Sequence, residues 1–428
     1  MSSSMYCKRG MRGSINPRFL FLLGLFSSLT VIQLGGISLF LIFAYMLFLY
    51  GLVRKNLSIC INTKFLPFLV SIVFSFLLSL FSNLPSGYLI NNIKGLLNYL
   101  IIFVLAFSIV ESDNKETCLY ELLSGLCCSC RVQSVWIIGQ TILWNLLKID
   151  VNKLIFSDIL GLVEKASQYK GTGYVPTGLC WNAGGIAPIL FLGFFLEKRL
   201  ILKIIIAVSA FLTQSATLTI GMSLCIVFMI VYNVSKMNVL VKCKKNISSI
   251  FAGLVLILIF LFVSYRSFGV IRQQFDRLWE VFSYRIDGLL NSSSAMDSST
   301  SAHLGYFTNL PYALGHGSFA NAFFGFGINC SGFPYSAVTG QYSDQVWIVE
   351  CDFVNILLNF GIIGFLFFYV WLMGGVLNLR EKGAIFYAFL VIAFMGITYN
   401  LQYIWLIFIE LILFSKKVTS SEFSLHRI

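Results

Sequence analysis

The sequence predicts an all-α polytopic membrane protein of about twelve transmembrane helices, with one large loop outside the membrane that contains amphipathic helices. Three observations carry this reading. Of the 428 residues, 58% are hydrophobic and 11% charged, whereas a soluble domain averages about 25% charged; the mean hydropathy is +0.85. A surface so poor in charge must face lipid. The apolar residues also gather in runs close to the ~20 needed to cross a bilayer. Finally, Lys and Arg fall mainly in the short connections between those runs, where they set orientation. The net charge of +12 is therefore a topology signal. No basic stripe interleaved with aromatics accompanies it, which excludes nucleic acid as a partner.

The elements follow in order. Residues 1–18 carry Lys8, Arg9, Arg12 and Arg18, and the apolar run after them is too long for a signal-peptide core, so the N-terminus reads as cytoplasmic. The run Phe19 to Val53 exceeds one span and is interrupted at Leu34-Gly35-Gly36, which predicts a tight helical hairpin. Arg54, Lys55 and Lys64 mark an inner loop. A third span covers Phe65 to Phe81, an outer turn Asn83 to Gly87, and a fourth span Ile90 to Val110. The fifth lies within Leu119–Leu147, with Arg131 leaving its start open. A polar loop, 148–178, comes next. Further spans are expected at 179–196, 200–214, 216–234 and 249–265, then the long polar segment 266–352, then spans at 353–377, 384–398 and 401–415 before Lys416 and Lys417. Twenty of the 30 Lys and Arg lie in segments assigned inside and eight in those assigned outside. Both termini are thus expected inside, with 148–178 and 266–352 outside. The chain divides into 1–265, 266–352 and 353–428. It has no internal repeat, which counts against repeat-built transporter folds.

The 87 residues of 266–352 are the informative exception, because loops beyond about 15 residues are usually functional or disordered. At about 100° per residue, Ile271, Phe275, Leu278, Phe282, Ile286 and Leu289 share one face, and Arg272, Asp276, Glu280, Ser283 and Asp287 the other. Such a helix suits the membrane surface. Arg285 departs from the polar face, and Arg277 lies on the same flank about 12 Å earlier. An Arg so placed either snorkels to water or faces an anion, for which its planar fork suits phosphate. A polar stretch, 291–303, leads to a second helix over His303–Leu314, which Asp297 or Ser301 would cap. His303 is either structural or a general base titrating near neutral pH. Glu350 and Asp352 stand at the mouth of the tenth span. Cys330 and Cys351 share the loop and would pair if it faces an oxidising compartment. Lys94, Arg131 and Glu410 lie in or near apolar runs; each is either functional or an interfacial or snorkelling residue.

Several local sequences then form a pattern. Thr177-Gly178-Leu179-Cys180-Trp181-Asn182 precedes the sixth span, and Leu212-Thr213-Gln214-Ser215 sits before the eighth. Phe324-Gly325-Phe326-Gly327 precedes Asp352-Phe353-Val354-Asn355-Ile356-Leu357-Leu358-Asn359-Phe360-Gly361-Ile362-Ile363-Gly364. With the opening hairpin and the moderate and large outer loops, the chain resembles the O-antigen polymerase (Wzy-type) family of bacterial inner membranes, relatives of the O-antigen ligases. The family's large loop carries an Arg and a Gly with ten residues between them, matched by Arg277 and Gly288. Its moderate loop usually carries Arg; here 148–178 offers Lys148, Lys153, Lys165 and Lys170 instead, with lysine a point charge rather than a fork.

The resemblance implies a glycosyltransferase of lipopolysaccharide biosynthesis, working on the periplasmic face. It would move a growing polysaccharide from undecaprenyl pyrophosphate to the next lipid-linked repeat unit. Such chemistry needs a cationic clamp for the leaving pyrophosphate, a base for the acceptor hydroxyl and an apolar groove for the prenyl tail. The clamp candidates are Arg277 and Arg285, with Arg272 behind them and Lys170 on the moderate loop. The base candidates are His303, then Asp297 and Asp352. No cofactor or metal is expected, and no GxxxxGK[ST] sequence occurs. Expected partners are the lipid-linked oligosaccharide, membrane lipid and a chain-length regulator protein. An O-antigen ligase acting on lipid A core and a polysaccharide flippase are the alternative readings.

Overall fold

A computed structural model of the chain describes residues 15–30, 32–34, 37–54, 57, 65–162, 167–170, 173–180, 182–213, 215, 218, 221–222, 272, 276, 305–340, 345–376 and 406. These are mostly helical, and three helices among them are long and apolar enough to cross a membrane: Ser86–Glu111, Lys115–Leu147 and Asp352–Gly375. On that ground the chain reads as a membrane protein. The spans expected at 216–234, 249–265, 384–398 and 401–415 fall outside the described residues. The chain divides into two compact units, 1–222 with 306–428, and 223–305. Of the second unit, Arg272, Asp276 and Gly305 are described; the elements below belong to the first.

Helix α1, Pro17–Phe26, opens on Asn16, whose side chain accepts from Arg18 N, with proline at the first helical position, where its missing N–H costs nothing. It runs parallel to α5, Lys115–Leu147. Asn114 Nδ2 donates to Ile15 O (2.8 Å) at one end, and Gln133 Nε2 to Ser28 O (3.0 Å) at the other. Between them a Cβ on Gly24 would lie 2.2 Å from Leu122 O, and one on Gly125 2.0 Å from Phe21 O. Small residues let the two backbones approach this closely in place of side-chain packing.

The expected break at Leu34-Gly35-Gly36 contains strand pairing rather than a purely helical turn: β1, Gln33–Leu34, pairs antiparallel with β2, Ile37–Ser38. Paired glycines between two strands are a hairpin signal. Ser38 then caps α2, Leu39–Val53. Helices α3, Leu66–Phe81, and α4, Ser86–Glu111, follow the expected third and fourth spans, joined at residues 82–85.

Arg131 does not start a span. Helix α5 is continuous over 33 residues, about 50 Å, and Arg131 lies in its middle, with its Nε 2.6 Å from Glu197 Oε2. Glu197 is 3% exposed and also accepts from Lys198 N (2.9 Å) and Arg199 N (3.0 Å). It sits in the turn between α6, Ala183–Leu196, and α7, Leu200–Leu212. Leu179 N meets Gln133 Oε1 at 2.6 Å just before α6, while Gly193 lies against Cys130 and Glu197 against Arg131. The segment before α6 and the turn after it thus both meet the middle of α5.

The region expected as one extramembrane loop contains α8, Leu310–Gly315, α9, Phe319–Phe324, and α10, Gly332–Thr339. Helix α11, Asp352–Val376, packs antiparallel to α3: Phe65 meets Trp371 at 4.9 Å, Phe68 meets Phe368 at 5.3 Å, and Gly364 lies against Ser71. The expected tenth span is not straight. Gly361 has φ 67° and ψ −177°, and the Phe353 ring lies 4.6 Å from Phe365 and 5.9 Å from Tyr369. In a straight helix residues 353 and 369 would be about 24 Å apart. The helix breaks and folds back at Gly361.

Candidate functional site

The break in α11 organises the site. Asp352, Asn355 and Asn359 fall on one face of its first half by their spacing, and each is at most 1% exposed. A break frees backbone carbonyls, which at membrane depth must be satisfied by protein or by a wet cavity. Here the glycine turn supplies the donors. Phe326 N donates to Leu358 O (2.9 Å), and Gly327 N to Asn359 O (3.2 Å); Ser75 of α3 also donates to Asn359 O.

The turn reaches this position because its glycines take backbone angles that side chains disfavour. Gly325 has φ +88° and Gly327 φ +112°. A Cβ on Gly325 would fall 2.1 Å from Asn359 O, and one on Gly361 2.3 Å from Phe323 C and O. The two glycine sites press backbone to backbone.

Amides finish the joint. Asn359 Oδ1 accepts from Cys330 N (3.0 Å), and its Nδ2 donates to Asn355 Oδ1 (3.0 Å). Ser331 Oγ donates to the same Asn355 oxygen (2.5 Å) and accepts from Val349 N (3.1 Å). From α4, Asn92 Oδ1 accepts from Ile328 N (2.7 Å), and Asn92 Nδ2 donates to Ser79 Oγ. The network is mainly neutral, and most of its donors and acceptors are paired, Asn355 Nδ2 excepted. Such an arrangement fixes one backbone geometry and holds the segment between the turn and α11 in place. Cys330 and Cys351 are both buried thiols and do not form the disulfide envisaged for an oxidising compartment.

The moderate loop is built in the same manner. Gly178, at φ +67°, donates its N–H to Gln140 Oε1 (2.8 Å), and its carbonyl accepts from Asn152 Nδ2 (2.7 Å). Trp136 Nε1 donates to Asn152 Oδ1 (2.8 Å). Beyond a π-helical turn, Lys153–Ile159, β3, Gln168–Lys170, pairs with β4, Gly173–Val175. Tyr174 stacks on Trp144 at 4.9 Å. Tyr169 donates to Asp150, and its phenol is pushed up to about 12 by partial burial and then by that carboxylate.

The expected site residues are distributed unevenly over this frame. Asp352, expected at an open mouth, is instead fully buried at the first position of α11, where a carboxylate complements the helix dipole. Lys170 ends β3 opposite Gly173. Arg272 lies 3.7 Å from Asp276, one helical turn on, with both side chains more than half exposed. An ion pair so placed contributes little to stability. Arg277, Arg285, Asp297 and His303 lie outside the described residues, as does Glu410. Lys94 is exposed on α4, free to snorkel as an interfacial lysine does. The amides Asn92, Gln133, Gln140, Asn152, Asn355 and Asn359 were not expected. Their signal in the sequence is a buried-type position within an apolar run occupied by a polar but uncharged side chain. Among the described residues no cluster of His, Cys, Asp or Glu has metal-ligand geometry. Comparison with known proteins finds no family model that matches the chain and no curated protein that matches it.

Proposed function

We propose that the chain is an O-antigen polymerase of the bacterial inner membrane, with about twelve spans, both termini in the cytoplasm and its chemistry on the periplasmic face. One observation supports this reading most. The two sequence blocks that carry the resemblance, Phe324 to Gly327 and Asp352 to Gly364, meet backbone to backbone at Gly325 and Gly361. The two blocks form one structural unit.

In the proposed reaction the acceptor sugar hydroxyl forms a bond to the anomeric carbon of the growing chain. The bond from that carbon to the pyrophosphate oxygen breaks, undecaprenyl pyrophosphate leaves, and the hydroxyl proton passes to a base. Arg277 and Arg285, with Arg272 in support, stabilise the leaving charge as oriented donors. A base must come within hydrogen-bond reach of the proton it takes. Buried Asp352 is poorly placed for that, so His303 and then Asp297 carry this role, and Asp352 anchors the head of α11.

The lipopolysaccharide ladder of a strain lacking this gene tests the proposal. Core bearing a single repeat unit is the expected outcome, since flipping and ligation persist. Bare core with long chains held on the lipid carrier would mean a ligase, bare core with single units retained inside would mean a flippase, and an unchanged ladder would overturn all three readings.

A further inference from the structure

The sequence places residues 266–352 outside the membrane, yet part of this segment packs along the sides of α3 and α4. Helix α4 is 26 residues long, about 39 Å, against a hydrocarbon core of about 30 Å. Ile328 N bonds to Asn92, and a Cβ on Gly95 would lie 2.5 Å from the Ile328 side chain and 2.9 Å from Asn329. These contacts are about 9 to 14 Å along α4 from its start. On the neighbouring helix, Phe324 stacks on Phe74 at 5.7 Å. Phe74 is 53% exposed and sits about 10 Å along α3 from the turn at 82–85.

Helix α9 therefore runs from the turn after α3, where Asn321 Nδ2 donates to Ser82 Oγ (3.3 Å), to a position beside Phe74 on α3. Its own outer edge is apolar: Phe319 is 81% exposed and rests on Phe323 at 4.6 Å. That edge continues the exposed apolar face of α3, which includes Phe74, Leu77 and Phe81. The backbone here is provided for in the way lipid demands. Ser318 and Asn321 form a reciprocal capping box, and Asn321 Nδ2 also donates to Gly325 O (3.3 Å).

We propose that residues 319–330 are a re-entrant segment whose Phe319–Phe323 edge contacts the acyl chains of the bilayer. The inference is independent of the polymerase reading and would hold for any activity of this chain.

Photocrosslinking tests it. Benzoylphenylalanine is placed at Phe319 in the full chain, reconstituted in vesicles of phosphatidylethanolamine and phosphatidylglycerol. The same group at Phe74 serves as the lipid-facing reference. At Gln345, which is exposed and bonded through its carbonyl to Tyr88 in the first turn of α4, it serves as the position outside the acyl region. The expected result is a phospholipid adduct at 319 within about two-fold of that at 74, and at least ten-fold less at 345. A crosslinked dimer at 319, or a lipid yield at 319 no higher than at 345, would overturn the proposal. Because Phe319 makes few contacts, the substitution leaves the fold intact, and retained adduct formation at Phe74 in a Phe319→Ala chain checks that it does.

Discussion

At Gly325 and Gly361 the side-chain space of each residue is filled by the other segment's backbone. Alanine at either position meets two obstacles: a positive φ and a collision with main-chain atoms. Gly340 separates these effects, since its φ is +68° but nothing lies within 4 Å of its Cβ position. Gly340→Ala is expected to cost only the left-handed strain, about 1–2 kcal/mol. Gly325→Ala and Gly361→Ala are expected to cost distinctly more and to lower the thermal midpoint of the detergent-solubilised chain further. Equal losses at all three sites would show that the backbone contact is unimportant. At this scale the sequence was only partly legible. Phe324-Gly325-Phe326-Gly327 announces a tight turn, because glycine is the residue for positive φ. Gly361 announces nothing, since glycine is common within apolar helices and its partner at Phe323 is 38 residues away in sequence.

At the scale of elements, the run of apolar residues predicts α3 and α4 closely because both are bounded by turn residues. It leaves the start of α5 open, because a reading by charge cannot tell whether Arg131 is a boundary. What permits a charge there is Glu197, 66 residues later, and that pairing is tertiary information. Amides escape a reading by charge altogether, although Gln133 and Gln140 are at most 1% exposed and hold the moderate loop to α5. Removing such a partner leaves a buried backbone group unsatisfied, at about 1–3 kcal/mol. Gln140→Ala and Gln133→Ala should therefore loosen residues 148–178 while leaving α5 formed. Limited proteolysis by trypsin reads this out: cleavage at Lys153, Lys165 or Lys170 should become at least several-fold faster than in the parent chain. An unchanged cleavage rate in both variants would show that the glutamines do not anchor the loop.

For the whole molecule, the apolar helices carry the membrane assignment, Ser86–Glu111 and Lys115–Leu147 unbroken and Asp352–Gly375 broken at Gly361, as the composition predicts. The re-entrant segment proposed at 319–330, which packs on α3, α4 and α11, would place part of 266–352 within the membrane and not wholly outside it. The polarity of a loop, taken alone, cannot separate a segment above the bilayer from one that re-enters it with its backbone satisfied by neighbours. The proposed activity rests on a resemblance whose two motif blocks interlock at the break in α11. Its most direct test is elongation by the purified full chain in liposomes, supplied with undecaprenyl-pyrophosphate-linked repeat units. The account predicts saccharides of increasing length, with one undecaprenyl pyrophosphate released for each unit added. Folded, correctly inserted protein that releases no undecaprenyl pyrophosphate and lengthens no chain would contradict it.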